Sequence, residues 1–283
     1  MKQILTLLSI LITVTSCTIS EEVMIKEDGA IEVVNKWDIP QISAMMGNLS
    51  TDEKIHLNQI SNQESNYYDF IEMLTELDAK NAAKFEGVDR YKEDLSKLDF
   101  VKFRLDLRDN FGVIVKNQAK SVEQFNANNV VIEQTFGDIH IKEKTRIADK
   151  IANNVKKNGK KTKKQMEEDA LLEPIFSTNP LSLMSVANYH YNGNTFKKVI
   201  NHKKFVDSFE LDELKDEEER SMFTTMVKQM KLKLKYTFPK KIKSIDIPDA
   251  MLTVDGKSFI KEYTFDELIN NENIGNFQVE LEQ

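Results

Sequence analysis

Four histidines, one cysteine and a large stock of carboxylates are the residues of this chain that could do chemistry. The histidines are His56, His140, His190 and His202. None pairs with another at metal-ligand spacing, and neither an HExxH nor a Cys–His cluster occurs, so a zinc site has no local signature. His190 and His202 flank one predicted hairpin and could meet in space, although a surface or half-buried histidine is the commoner outcome. No GxSxG, glycine-rich phosphate loop or Walker motif is present, which leaves serine-hydrolase and nucleotide chemistry without a foothold. Asp28, Asn35 and Asp38 do not match a calcium loop. No metal, cofactor or catalytic residue is therefore expected. The abundance of Asp and Glu keeps one enzymatic option open, a hydrolase whose paired carboxylates come together only in the fold.

The lone cysteine is Cys17, and what precedes it has a pattern. Lys2 gives a basic start, Ile4 to Val14 is apolar apart from Thr and Ser, and Thr15 and Ser16 lead to the thiol. The run is too short to cross a bilayer, which takes about 20 residues, and its order is that of a secretory signal. A single cysteine also fits no disulfide framework. The stretch Val14-Thr15-Ser16-Cys17 resembles the lipobox of bacterial lipoproteins. That resemblance implies a diacylglyceryl group on the Cys17 thiol, cleavage just before it and acylation of the new amine. Two or more buried acyl chains anchor stably where one does not. Thr18 rather than Asp follows the cysteine, so the resemblance further implies an outer-membrane address. Ser20, Glu21 and Glu22 look like the surface-export patch of Bacteroidetes lipoproteins. The expected division is a cleaved leader over 1–16, the lipidated cysteine and a short tether over 17–22, and a globular body over 23–283.

Composition limits the body. After the leader roughly 265 residues remain, enough for one large or two small domains. A net charge of −7 argues against nucleic acid, whose grip needs clustered Lys and Arg. Nine glycines and five prolines are few for this length, which disfavours a turn-rich sandwich and favours helices joined by hairpins.

The elements follow from hydrophobic period. Residues 23–34 predict a hairpin turning at Asp28-Gly29, and Trp37 to Pro40 ends it with Trp37 as a core plug. Tyr67, Phe70, Ile71, Leu74 and Leu77, then Val88, Tyr91, Leu95 and Leu98, predict two helices. Val101, Phe103, Leu105 and Leu107 alternate without fault and return through Phe111, Val113 and Val115. Ser121 is placed to cap a helix with Val122, Phe125 and Ile132 on one face, and Ile147, Ile151 and Val155 mark a second helix. The basic run Lys156 to Lys164 predicts a solvated helix end, with anionic headgroups as the sharper alternative. Asn192-Gly193 predicts the two positive-φ positions of a hairpin turn. A helix follows Phe205 through an acidic middle to Met222, Phe223, Met226, Val227 and Met230. Leu232, Leu234, Tyr236 and Phe238 form a strand whose outward lysines suit an edge. Thr264 with Glu267 predicts a capping box, and Phe277, Val279 and Leu281 a final strand.

Several of these stretches resemble parts of a group of Bacteroidetes lipoproteins to which no activity is attached. They are the lipobox start, the Val23-to-Val33 hairpin, Tyr189–Phe196 (YHYNGNTF), Leu234–Ser244 (LKYTFPKKIKS), Thr253–Lys257 (TVDGK) and Val279–Glu282 (VELE). The resemblance speaks to localisation and leaves activity open.

The expected fold is α+β, with antiparallel hairpins forming one or two sheets and helices packed on one side. The N-terminal hairpin and the C-terminal strands are expected to share a sheet. The expected role is a lipid-anchored envelope protein that binds a partner or supports an assembly, periplasmic or surface-exposed. The alternative is an envelope or extracellular polymer hydrolase using a carboxylate pair. The expected partners are the membrane, through Cys17, and an envelope protein.

Overall fold

The computed structural model describes residues 18–38, 68–69, 101–106, 112–134, 186–208 and 217–283. The first strands are β1 (Thr18–Ile25), β2 (Ile31–Asp38), β3 (Tyr68–Asp69), β4 (Val101–Asp106) and β5 (Gly112–Ala119). Then come β6 (Ala187–Tyr191), β7 (Thr195–Ile200), β8 (Lys231–Thr237), β9 (Ile242–Ile245), β10 (Met251–Leu252), β11 (Ser258–Thr264) and β12 (Phe277–Leu281). The helices are α1 (122–134), α2 (His202–Asp207), α3 (Glu217–Gln229) and α4 (Phe265–Asn270). The result is a strand-dominated α+β body of two sheets. One has eight strands in the order β10-β11-β8-β1-β2-β5-β4-β3, the other four in the order β6-β7-β12-β9.

The N-terminal hairpin does join C-terminal strands, and the joint is parallel. β1 pairs antiparallel with β2 on one side and parallel with β8 on the other, Thr18 facing Asp38 and Lys231. β12 leaves for the second sheet, between β7 and β9. The chain is thereby closed on itself, because β1 cannot finish pairing until β8 arrives. Strand β8 is interior, flanked by β11 and β1, so its outward lysines do not guard an edge. They pair instead with acids on the neighbouring strands, Lys231 and Lys233 with Glu262, and Lys235 with Glu22.

Two local expectations change. Residues 18–22, expected as part of a tether, are ladder residues of β1. Ile19, Glu21, Val23 and Ile25 lie on one pleat phase, and Ile19, Val23 and Ile25 are buried. Tyr68–Asp69, expected as the start of a helix, is a short strand on β4, where ladder pairing overrides the local 3.6-residue period. The rest of the two helices expected between 67 and 98 falls outside the described residues. So do His56, His140, the helix at 147–155, the run 156–164 and Cys17 itself.

Turn chemistry fixes the β6–β7 hairpin. The register Tyr191↔Phe196 with an Asn192 N–H bond to the Thr195 carbonyl makes Gly193-Asn194 the two-residue loop. Gly193 carries φ of 89° and Asn194 does not share it, which fits a type II′ turn one residue beyond the expected one. Asn192 stays in the extended arm, where its side-chain oxygen accepts from the Asn194 and Thr195 N–H groups.

The two sheets face each other over aromatic rings. Phe196 of β7 meets Tyr236 of β8 at 5.5 Å, and Phe277 of β12 meets Tyr236 at 5.0 Å and Phe259 of β11 at 5.3 Å. Phe196, Tyr236 and Phe259 are fully buried. At roughly 1.5–3 kcal/mol for each large side chain removed from water, this cluster contributes several kcal/mol to holding the sheets together. Trp37 is buried, the core position its sequence context predicts. Ser121 caps α1 by accepting from the Gln124 N–H, and Val122, Phe125 and Ile132 are all buried. The Thr264–Glu267 capping box is complete in both directions. Of the predicted apolar face of α3, Val227 is buried.

Candidate functional site

The inward row of β1 carries a charge in the phase that should be apolar. Glu21 sits between Ile19 and Val23 on that row. Across the interface β7 does the same, with Lys198 in phase with Phe196 and Ile200. The pleat brings the two together. Lys198 Nζ lies 2.6 Å from Glu21 Oε1, with the lysine side chain only 2% exposed and the glutamate 13%.

Two phenols complete the centre. The Tyr236 hydroxyl donates to Glu21 Oε1, and the Tyr189 hydroxyl donates to Oε2 at 3.2 Å. The Lys198 ammonium also lies 5.8 Å from the Tyr189 ring centre and 5.6 Å from that of Tyr236, a range in which ring faces attract cations. Burial, and then the nearby Glu21 charge, push both phenols well above their ordinary value of 10.0. They remain neutral donors at any ordinary pH. One carboxylate thus accepts from one ammonium and two phenols, drawn from β1, β6, β7 and β8.

Glu21 and Lys198 of this centre line a cavity of about 40 Å³ between the sheets. Its other walls are mainly apolar, with Ile19, Phe205 and Leu268 among them, and it also touches Asn35, Trp37 and His202. Asn35 is the cross-strand partner of Glu21. Among the described residues the Trp37 indole N–H has no hydrogen-bond partner.

His202 Nε2 lies 3.0 Å from both the Leu268 and Ile269 carbonyls of α4. Carbonyls only accept, so Nε2 carries the proton and His202 ties α2 to α4. His190, the other half of the suggested pair, is exposed on β6 beside Lys197. The fold therefore does not make them one site. Among the described residues no cluster of three or more His, Cys, Asp or Glu could hold a metal. Glu21 is the one carboxylate among the described residues lining the cavity, where a carboxylate-pair hydrolase needs two.

Glu21 and Lys198 are not legible as a pair from local sequence, where Glu21 groups with Ser20 and Glu22 as a polar-acidic patch. The available signal was pleat phase. Ile19-x-Glu21-x-Val23-x-Ile25 and Phe196-x-Lys198-x-Ile200 each place one charge in an apolar row, and opposite charges so placed on two strands imply a buried partner.

No family model matches the chain, and no curated protein matches it. A solved structure similar to it is the folded domain of the LppM protein of Mycobacterium tuberculosis, at 7% identity and a TM-score of 0.35. The match covers 94% of this chain and 88% of that one. A likeness of that size carries no argument about fold or role. Among the described residues no helix is long and apolar enough to cross a membrane.

Proposed function

We propose that this chain is a lipid-anchored envelope protein with a binding or structural role, held to the outer membrane through an acylated Cys17. The observation that carries the anchor is the ordered leader, from Lys2 through the apolar run to Val14-Thr15-Ser16-Cys17. What favours binding over hydrolysis is the setting of Glu21. It accepts from Lys198, Tyr189 and Tyr236 in the wall between the sheets, and no second carboxylate among the described residues lines the cavity beside it. The anchor is tested by Cys17→Ala in cells fed a fatty acid that can be tagged. The variant takes up no label and is not cut before residue 17. Unchanged labelling and processing would contradict the proposal.

A further inference from the structure

We infer that the body stands on the bilayer on one defined end of its eight-stranded sheet, the end formed by Thr18, Asp38, Lys231 and Thr264. The inference rests on the lipidated Cys17 and adds the orientation of the body, which that reading leaves open.

Reach sets the orientation. Consecutive Cα atoms are about 3.8 Å apart, wherever residue 17 points. Thr18 is already a ladder residue, paired with Asp38 on one side and Lys231 on the other. A flexible tether of six residues would have given roughly 13 Å of root-mean-square slack and free rotation. Here the lipid is joined directly to the sheet. The point of attachment is also interior, since β1 has three strands on one side and four on the other. An anchor at a sheet corner would let the body lie flat, whereas one in the middle of the strand ends favours an upright sheet.

The described residues at this end suit a headgroup layer. Lys36 pairs with Asp38 at 3.1 Å, Lys231 with Glu262 at 2.7 Å and Lys228 with Asp266 at 3.4 Å. Alternating charges of this kind can meet the phosphates and amines of a phospholipid surface without forming a polybasic cluster, so the acyl chains supply the hold.

The opposite end is set by the same register. Strand β1 rises seven steps to Ile25, roughly 23 Å at ~3.3 Å per residue. The Asp28-Gly29 turn lies there, as does the β10–β11 loop, because Met24 and Ser258 both face Thr237. Met251, Leu252 and Val254, the last of them fully exposed, belong to that distal hairpin. They are held off the anchoring bilayer and do not dip into it.

The test uses the full lipidated protein in phosphatidylethanolamine–phosphatidylglycerol vesicles. Cys17 is the only cysteine, and once thioether-linked it cannot react, so single cysteines introduced elsewhere take a fluorophore alone. Lys36→Cys and Lys228→Cys report the proximal end, Glu27→Cys and Val254→Cys the distal one. Spin-labelled headgroups should quench the proximal pair several-fold more than the distal pair. Equal quenching, or stronger quenching at the distal pair, overturns the orientation. Mass spectrometry of the same samples separates the two claims. An acylated Cys17 with equal quenching defeats only the orientation, and an unmodified thiol defeats the anchor beneath it.

Discussion

Glu21 and Lys198 come from different sheets and meet at 2.6 Å in a wall that is otherwise mainly apolar. Burying two charges gains little over a well-packed apolar pair, but removing one partner strands the other, typically at about 3–5 kcal/mol. Glu21→Ala and Lys198→Ala should each destabilise on that scale in urea unfolding. The double variant should fall short of the sum by about 0.5–3 kcal/mol, since the residues are in contact. Strict additivity would mean that the pair is not coupled.

The same centre sets an alkaline limit. Tyr189 and Tyr236 titrate well above 10.0 in the folded chain, because burial and then Glu21 disfavour the phenolates. A raised folded value means that their contribution is fully present below the unfolded value and lost as pH rises beyond it. Stability should therefore decline above about pH 10. Tyrosinate absorbance from these two should appear only together with the loss of far-ultraviolet structure. Tyr263, pushed up to about 12 by burial and then by Glu267, should titrate late as well. Ionisation of every tyrosine near pH 10 in a still-folded protein would refute the buried centre.

Acid acts through different groups. Partial burial pushes the Glu32 carboxyl up, but hydrogen bonds from Lys116 and Gln118 outweigh it and hold it below 4.5. Lys231 holds Glu262 down, and the Thr264 N–H and hydroxyl do the same for Glu267 in the capping box. Depressed values mean that this stability is present above the unfolded value and lost as pH falls through the folded ones. The denaturation midpoint should drop below pH 4.5, and Glu267→Ala should shrink that drop. A pH-independent midpoint down to pH 2 would contradict it.

Packing gives a sharper pair of variants. Phe196 touches the rings of Tyr189, Tyr236, Phe238 and Phe277, and Phe196→Ala should cost about 3–5 kcal/mol. Gly275 has φ of 86°, and a Cβ there would lie 2.5 Å from Ile200 Cδ1. Gly275→Ala should cost about 1–3 kcal/mol from the strained backbone alone. Thermal melts rank the two, and a neutral Gly275→Ala would place that loop differently.

Much of this architecture could be read directly from alternation. The β1–β2 and β4–β5 hairpins, β8 and β12 show a period of two, and the α1 and α4 caps follow from Ser121 and Thr264. What alternation could not supply is long-range pairing. Nothing local in Lys231–Thr237 says that it will lie parallel to Thr18–Met24, more than 200 residues away, so its lysines suggested an edge. The Asn192-Gly193 pair marked a turn but not its phase, because Asn192 can serve from the arm through its side chain. Glu21 is hidden for a related reason, since three adjacent polar residues look like solvated chain until the strand turns Glu21 into the row of Ile19, Val23 and Ile25.

The mass of the mature amino-terminal peptide decides whether the chain is held by lipid. Intact-protein and peptide mass spectrometry of material extracted from envelopes should show a chain beginning at Cys17 and carrying diacylglyceryl and further acyl mass. A first residue other than Cys17, or a Cys17 with an unmodified thiol, would contradict the account.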